Sequence, residues 1–339
     1  MWLEILGTKI NTLSYSGTHP QGQLKKLIEA ARGKNFSPPE GYRGALPTDE
    51  NLWDAVKTLR FVPAEIIAVD GSQIYPDPAE PLPWAYTHAM VTRPPSRYLS
   101  RFLSPSELLE AEAAAGRKLI DSVRFSLELQ LAAQSAEQWG RKAEVLLDGP
   151  ILPPGRTSHT RKGLGKEILD GALAAMDQAI DEGGVIAGFT PNGHARYMAS
   201  LLLATVGEEN EKRRLPLIDR KVIRSLIKPG QRTALYRRRA LDGRMVYFFY
   251  TTQGRVEFPF EPSAAIINQV WGSVEGGYPV ELTAAHHMAV IPHRTASYLK
   301  AVVRGNLREG DASQQPDQGE VCPTGYSEKR LAKRRADFR

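Results

Sequence analysis

Short, nearly continuous apolar runs alternate along this chain with longer stretches in which apolar residues recur at helical spacing. Residues 65–70, Glu-Ile-Ile-Ala-Val-Asp, form such a run closed by Asp70-Gly71-Ser72, the pattern of a buried strand followed by a turn. Residues 84–92 and 97–103 read as two further strands parted by Pro94-Pro95. Ser104-Pro105-Ser106-Glu107 has the form of a capping box with proline at the first helical position, so a helix is expected over 104–139, interrupted near Gly116. Its second part carries Ile120, Val123, Leu127 and Leu131 on one stripe suited to packing on a sheet. Residues 143–147 are another buried strand, and it too ends in an acid, at Asp148-Gly149-Pro150. A helix over 166–181, a strand over 184–189 and a helix over 194–203 follow. Residues 245–252 and 255–260 form a hairpin around Gln253-Gly254, and a helix from Ala284 closes the series.

Three strands thus precede the first long helix, and single strands then alternate with helices. Strands without a crossover helix pair antiparallel, whereas strand-helix-strand units add parallel neighbours. The expected fold class is α/β: an RNase H-like mixed sheet flanked by helices, with additional C-terminal β-hairpin and helical elements. Residues 65–304 carry this core. Residues 1–64 read as an N-terminal peripheral region, with turn-rich 17–22, a short helix over 23–31, Pro and Gly breakers over 36–47, and a helix over 50–59. Residues 305–339 read as a basic C-terminal tail.

The chain of 339 residues is 42% hydrophobic and 24% charged, which is ordinary for a globular protein. No apolar stretch approaches the ~20 residues that cross a bilayer, and the start reads as no signal peptide, so no membrane partner and a cytoplasmic location are expected. A lone cysteine, Cys322, excludes an internal disulfide framework and a cysteine-based zinc site. The formal net charge is +6, and twelve Lys/Arg fall between Lys212 and Arg244, among them Arg213-Arg214 and Arg237-Arg238-Arg239. Guanidinium groups grip phosphate oxygens in a bidentate fork, so a nucleic-acid path along Arg213 to Arg239 is expected.

The two strands ending in Asp-Gly are the main chemical feature. Adjacent strands lie ~4.8 Å apart, so Asp70 and Asp148 converge on one ion if their strands are neighbours. A divalent cation offsets the cost of burying carboxylates. Each aspartate alone reads more readily as a turn cap, and it is the two together that point to a site. Glu128 lies beside the apolar stripe of the long helix, in reach either of the sheet or of Arg124 one turn earlier. Gly163-Leu164-Gly165-Lys166-Glu167 has Thr at position 160 where a phosphate-binding loop needs glycine, and no Ser or Thr follows Lys166. The chain therefore carries no such ATPase motif.

Several separate stretches resemble the NurA nuclease family in order. They are Ala68-Val69-Asp70-Gly71-Ser72, Arg124 with Glu128, and Val145-Leu146-Leu147-Asp148-Gly149-Pro150, then Leu217-Ile218-Asp219 with Leu226 and Pro229-Gly230-Gln231-Arg232, and last Gly277-Tyr278-Pro279 with Leu282 and Ala285-His286. Thr190-Pro191-Asn192-Gly193 departs from the family pattern. The resemblance implies an RNase H-like nuclease domain over 65–304. The implied activity is manganese-dependent, or magnesium-dependent, cleavage of DNA: 5′–3′ exonuclease on single and double strands, endonuclease on single strands. It implies a metal site of Asp70, Glu128, Asp148 and His286, with His287 beside the last equally eligible by position, and Asp219 as a weaker match. It also implies a homodimer working with a HerA-like hexameric ATPase in DNA end resection and double-strand break repair, for which Trp2, Leu3, Ile5 and Leu6 are candidate contacts. A junction resolvase built on the same acidic logic and a non-catalytic DNA-binding adaptor are the alternatives. Preference for a junction over linear DNA would mark the first, and absence of cleavage with manganese the second.

Overall fold

The computed structural model describes residues 20–31, 42, 44–48, 56–57, 65–80, 82–93, 98–110, 116–140, 143–152, 164–191, 195–206, 217–240, 242–274 and 277–308. The apolar cluster of Trp2 to Leu6, Asn192-Gly193, Arg213-Arg214 and the tail with Cys322 lie outside these residues. In chain order the elements are α1 (Pro20–Ala31), β1 (Leu46–Pro47), β2 (Val56–Lys57), β3 (Glu65–Ile74), β4 (Ala85–Val91), β5 (Tyr98–Leu103), α2 (Pro105–Glu110), α3 (Gly116–Trp139) and β6 (Ala143–Asp148). There follow α4 (Leu164–Asp181), β7 (Val185–Pro191), α5 (Tyr197–Val206), α6 (Asp219–Leu226), β8 (Gln231–Arg232), β9 (Tyr236–Arg239), β10 (Met245–Tyr250), β11 (Gly254–Phe258), α7 (Ala264–Val274), α8 (Val280–Ala289) and α9 (His293–Arg308).

A nine-stranded mixed sheet in the order β1-β9-β10-β11-β7-β6-β3-β4-β5 forms the centre. β3, β4 and β5 make the expected antiparallel meander, β6 and β7 join β3 in parallel, and β11 starts an antiparallel extension from β7. Side-chain alternation along each strand gives the sheet two apolar faces. Ile67, Val69, Val145 and Leu147 pack with Ile120, Val123, Leu127 and Leu131 of α3 and with Leu169, Leu173 and Met176 of α4. Ile66, Ala68, Leu146, Phe189 and Val256 face the other way, against Ile267 and Trp271 of α7 and Leu282 and Ala285 of α8. Helices on both faces explain why every residue of β4 is buried. A third apolar cluster joins α1, α5 and α6 to Tyr236, Phe248 and Tyr250 at the extended end of the sheet.

The capping box forms as expected: the Ser104 backbone N–H donates to Glu107 Oε2 at 2.8 Å and the Glu107 N–H to Ser104 Oγ at 3.4 Å. Other expectations need correction. β3 does not turn at Asp70-Gly71-Ser72 but runs on to Ile74, because β4 pairs with it as far as Ile74↔Tyr86. Val56 and Lys57 are not helical; they pair with β8 in a separate two-stranded sheet, where a distant partner overrides the local pattern. α6, α7 and α9 were not foreseen, and α8 begins at Val280, ahead of Ala284. No helix among the described residues is long and apolar enough to cross a membrane.

Candidate metal centre

β3 and β6 are direct neighbours, and the parallel register Val69↔Leu147 sets Asp70 beside Asp148. Both aspartates continue the alternation of Ile66, Ala68 and Leu146, which aims them at α7 and α8. On α8 the buried residues Leu282, Ala285 and Ala289 recur at helical spacing and seat the helix on the sheet. His286 borders that stripe, keeps 60% of its side chain exposed, and places Nδ1 2.9 Å from Asp70 Oδ2. One ligand-type atom from each of Asp70, Asp148 and His286 lies within 4.8 Å of the other two. Asp70 is further fixed by the Gly71 N–H, which donates to its Oδ1 at 2.7 Å.

Glu128 arrives from the opposite face. α3 packs on the side of Ile67 and Val69, and Gly71 continues that side of β3. A Cβ at Gly71 would lie 2.6 Å from Glu128 Oε1 and 2.7 Å from the His88 carbonyl oxygen, so only glycine leaves room for this carboxylate next to Asp70. Glu128 is 4% exposed and ion-paired with Arg124. Burial pushes its pKa up to about 8; Arg124 opposes that rise, and repulsion from Asp70 and Asp148 adds to it. Burial first and Asp148 second likewise raise Asp70, against the pull of His286 and the Gly71 N–H. Two carboxylates gathered with one imidazole, and a third buried behind Gly71 with a single arginine beside it, are short of positive charge. That shortfall, and a donor set of oxygens with one nitrogen, fit a hard divalent cation of the magnesium or manganese type.

Asp70, Asp148 and His286 therefore come together as one cluster, with Glu128 pressing on it from the α3 side. Asp219 belongs elsewhere. Its Oδ2 accepts the Tyr197 N–H at 2.9 Å and the Tyr250 hydroxyl, and its Oδ1 accepts the Ala199 N–H at 3.0 Å, so it anchors the start of α5. Arg238 also departs from expectation: it turns inward to Glu257 while Arg237 and Arg239 stay exposed.

Two further contributors, Tyr278 and His88, were assigned no role from the sequence. The Tyr278 hydroxyl donates to Asp148, its ring meets Phe189 edge-on at 5.7 Å, and burial together with Asp148 holds its pKa above the usual phenol range. Gly277-Tyr278-Pro279 marks the position, but a lone tyrosine suggests no role. His88, buried on β4, places Nε2 2.6 Å from the Ala289 carbonyl oxygen and so ties down the last turn of α8. A histidine within a wholly buried strand is the sign that marks it.

A family model described as the NurA domain matches residues 64–291. No curated protein matches the sequence. A solved structure described as NurA with manganese is similar at a TM-score of 0.43 and 12% identity, covering 75% of this chain and 91% of that one. A second, described as NurA bound to dAMP and manganese, has a TM-score of 0.40 at 12% identity and covers 73% and 90%.

Proposed function

This chain belongs to the NurA family, and from that membership we propose that it is a metal-dependent DNA nuclease whose centre is Asp70, Glu128, Asp148 and His286. The observation that carries the reading is the convergence of Asp70, Asp148 and His286 within 4.8 Å, beside a fully enclosed Glu128. Oxygen-rich donors with one imidazole suit manganese or magnesium, and manganese is the ion this proposal takes. When bound, it supplies Lewis-acid polarisation of the scissile phosphate and charge neutralisation.

The protein side of the mechanism follows from placement. Asp70 and Asp148 would hold the ion in one place, because they sit on two hydrogen-bonded strands that cannot drift apart. Asp70 holds His286 at Nδ1 and orients the half-exposed ring, which would leave Nε2 as the atom that ligates the ion. Tyr278 steadies Asp148 and offers the face of its ring to a base or sugar beside the scissile bond.

The finer reading is 5′–3′ exonuclease activity on single- and double-stranded DNA with endonuclease activity on single strands. In it a homodimer works with a HerA-type hexameric ATPase in end resection and double-strand break repair. It is supported by family membership and by the absence of a phosphate-binding loop at 160–167. The test is degradation of 5′- and 3′-labelled linear duplex and single strands with manganese, with magnesium and with chelator. Wild-type protein is expected to cut only with metal, while Asp70→Ala and Asp148→Ala bind DNA without cutting it. Undiminished metal-dependent cleavage by both variants would sink the site.

A further inference from the structure

Asp148 closes β6, and the chain beyond it crosses to the other face of the sheet, where Ile151 and Leu152 enter the core with α3 and α4. Three contacts fix this crossing. The Gly149 N–H donates to the Phe189 carbonyl at 2.9 Å, on the neighbouring strand. The backbone of 149–151 lies directly over Gly188 of β7: a Cβ there would fall 2.6 Å from the Gly149 oxygen and 2.8 Å from the Ile151 nitrogen. Finally, the Ile151 N–H donates to Glu257 Oε2 at 3.1 Å.

Glu257 is 0% exposed and sits opposite Gly188 in the β11–β7 ladder. Its other oxygen, Oε1, is ion-paired with Arg255, whose Nε lies 2.9 Å away, and accepts a long hydrogen bond from Arg238 Nη2 at 3.4 Å. Both guanidiniums lie over the Tyr197 ring, at 4.9 and 5.1 Å. A carboxylate sealed between two arginines has no freedom to swing, so the backbone N–H it grips is held just as firmly. Replacing such a buried ion group with apolar side chains is often harmless to stability, so stability alone does not account for its presence there.

We propose that Glu257 is a positioning residue: clamped by Arg238 and Arg255, it pins Ile151 and thereby sets the place of the Asp148 carboxylate in the metal centre. This rests on the reading of Asp148 as a metal ligand given above. Gly188 is the second half of the device, since it alone lets the pinned segment lie flat on β7.

The experiment measures manganese affinity by calorimetry on the full chain, alongside thermal stability and without reference to cleavage. Wild type is expected to bind and Asp148→Ala to lose binding. Glu257→Ala and Gly188→Ala should each weaken binding by about tenfold or more, the range for outer-shell partners of metal ligands. Glu257→Gln keeps an acceptor for the Ile151 N–H, so it should stay within about threefold of wild type while losing stability through its arginines. Thr233→Val, which removes a buried hydroxyl away from this segment, should lower stability and leave affinity unchanged. Wild-type affinity in folded Glu257→Ala and Gly188→Ala overturns the positioning role. If Glu257→Ala fails to fold, Gly188→Ala at wild-type affinity, or Glu257→Gln at the affinity of Gly188→Ala, overturns it instead. Failure of the wild type to bind manganese, or wild-type binding by Asp148→Ala, overturns the metal-site reading and with it the positioning role that rests on it, whereas wild-type affinity in the Glu257 and Gly188 variants overturns the positioning role alone.

Discussion

Glu144 lies on β6 four residues before Asp148, on the same face, and neither of its buried oxygens has a hydrogen-bond partner among the described residues. Burial alone pushes its pKa up to about 8. The unfolded chain releases this proton near the ordinary glutamate value, while the folded chain keeps it to about pH 8. The stability associated with Glu144 is therefore complete at low pH and declines by about 1.4 kcal/mol per pH unit as pH rises from the unfolded value towards the folded one. Glu144→Met is expected to raise the denaturation midpoint at pH 8 and to change it little at pH 5. Equal shifts at both pH values would show that Glu144 is not held protonated. Asp219 is the opposite case, a buried carboxylate with every oxygen engaged. Asp219→Ala orphans two helix-start N–H groups and a tyrosine hydroxyl, so a loss of about 3 kcal/mol is expected with manganese affinity unchanged. A matched loss of metal binding would restore Asp219 as a ligand.

At the scale of elements, the last turn of α8 is tied to β4 by the buried His88 side chain. His88→Leu leaves the Ala289 carbonyl without its donor, which costs about 1 kcal/mol locally. Amide exchange over 286–290 should then quicken several-fold while that of β3 and β6 stays slow; unchanged exchange would show that packing of Leu282 and Ala285 suffices to hold the helix. The same elements show what the sequence made legible. β6 and both Asp-Gly steps stand out because their apolar runs are short and end in an acid. The capping box before α2 is a local code and formed as written. β2 was misread because its identity comes from β8, more than a hundred residues away and invisible to local pattern. The extension of β3 past Asp70 was missed for the same reason, since β4 decides where β3 stops. Glu128 and His286 were placed by the family resemblance; spacing alone left Arg124 and His287 as equal claims.

For the molecule as a whole, the proposed DNA binding turns on which arginines stay exposed. The strand β9 alternates, so Arg237 and Arg239 stay exposed while Arg238 is drawn in to Glu257. Replacing Arg237 and Arg239 together by alanine should weaken DNA binding and flatten its salt dependence by up to about 0.9 in log–log slope per lost phosphate contact. Arg238→Ala should instead lower stability and leave that slope alone. An unchanged slope in the double variant would place the DNA path on another surface. Helix α9 is joined to the β3–β4 connection by Lys300 to Asp77 at 2.7 Å and by a bidentate Arg304 to Glu80. Exposed pairs of this sort are screened by salt, so α9 should be the first element to exchange quickly as ionic strength rises.

Asp70 and His286 touch across 216 positions of chain. On a ribosome moving at ~5–20 residues per second, the aspartate is made about 10–40 s before its histidine exists. From Asp148 onwards in that interval the nascent chain has both strand aspartates but not yet His286 to complete the cluster. On the nuclease reading proposed above, each copy would be inert while its sheet is laid down and would acquire its cutting chemistry only once α8 is made. Ribosome-arrested chains ending before α8 should accordingly bind no manganese, whereas chains extended through α9 should.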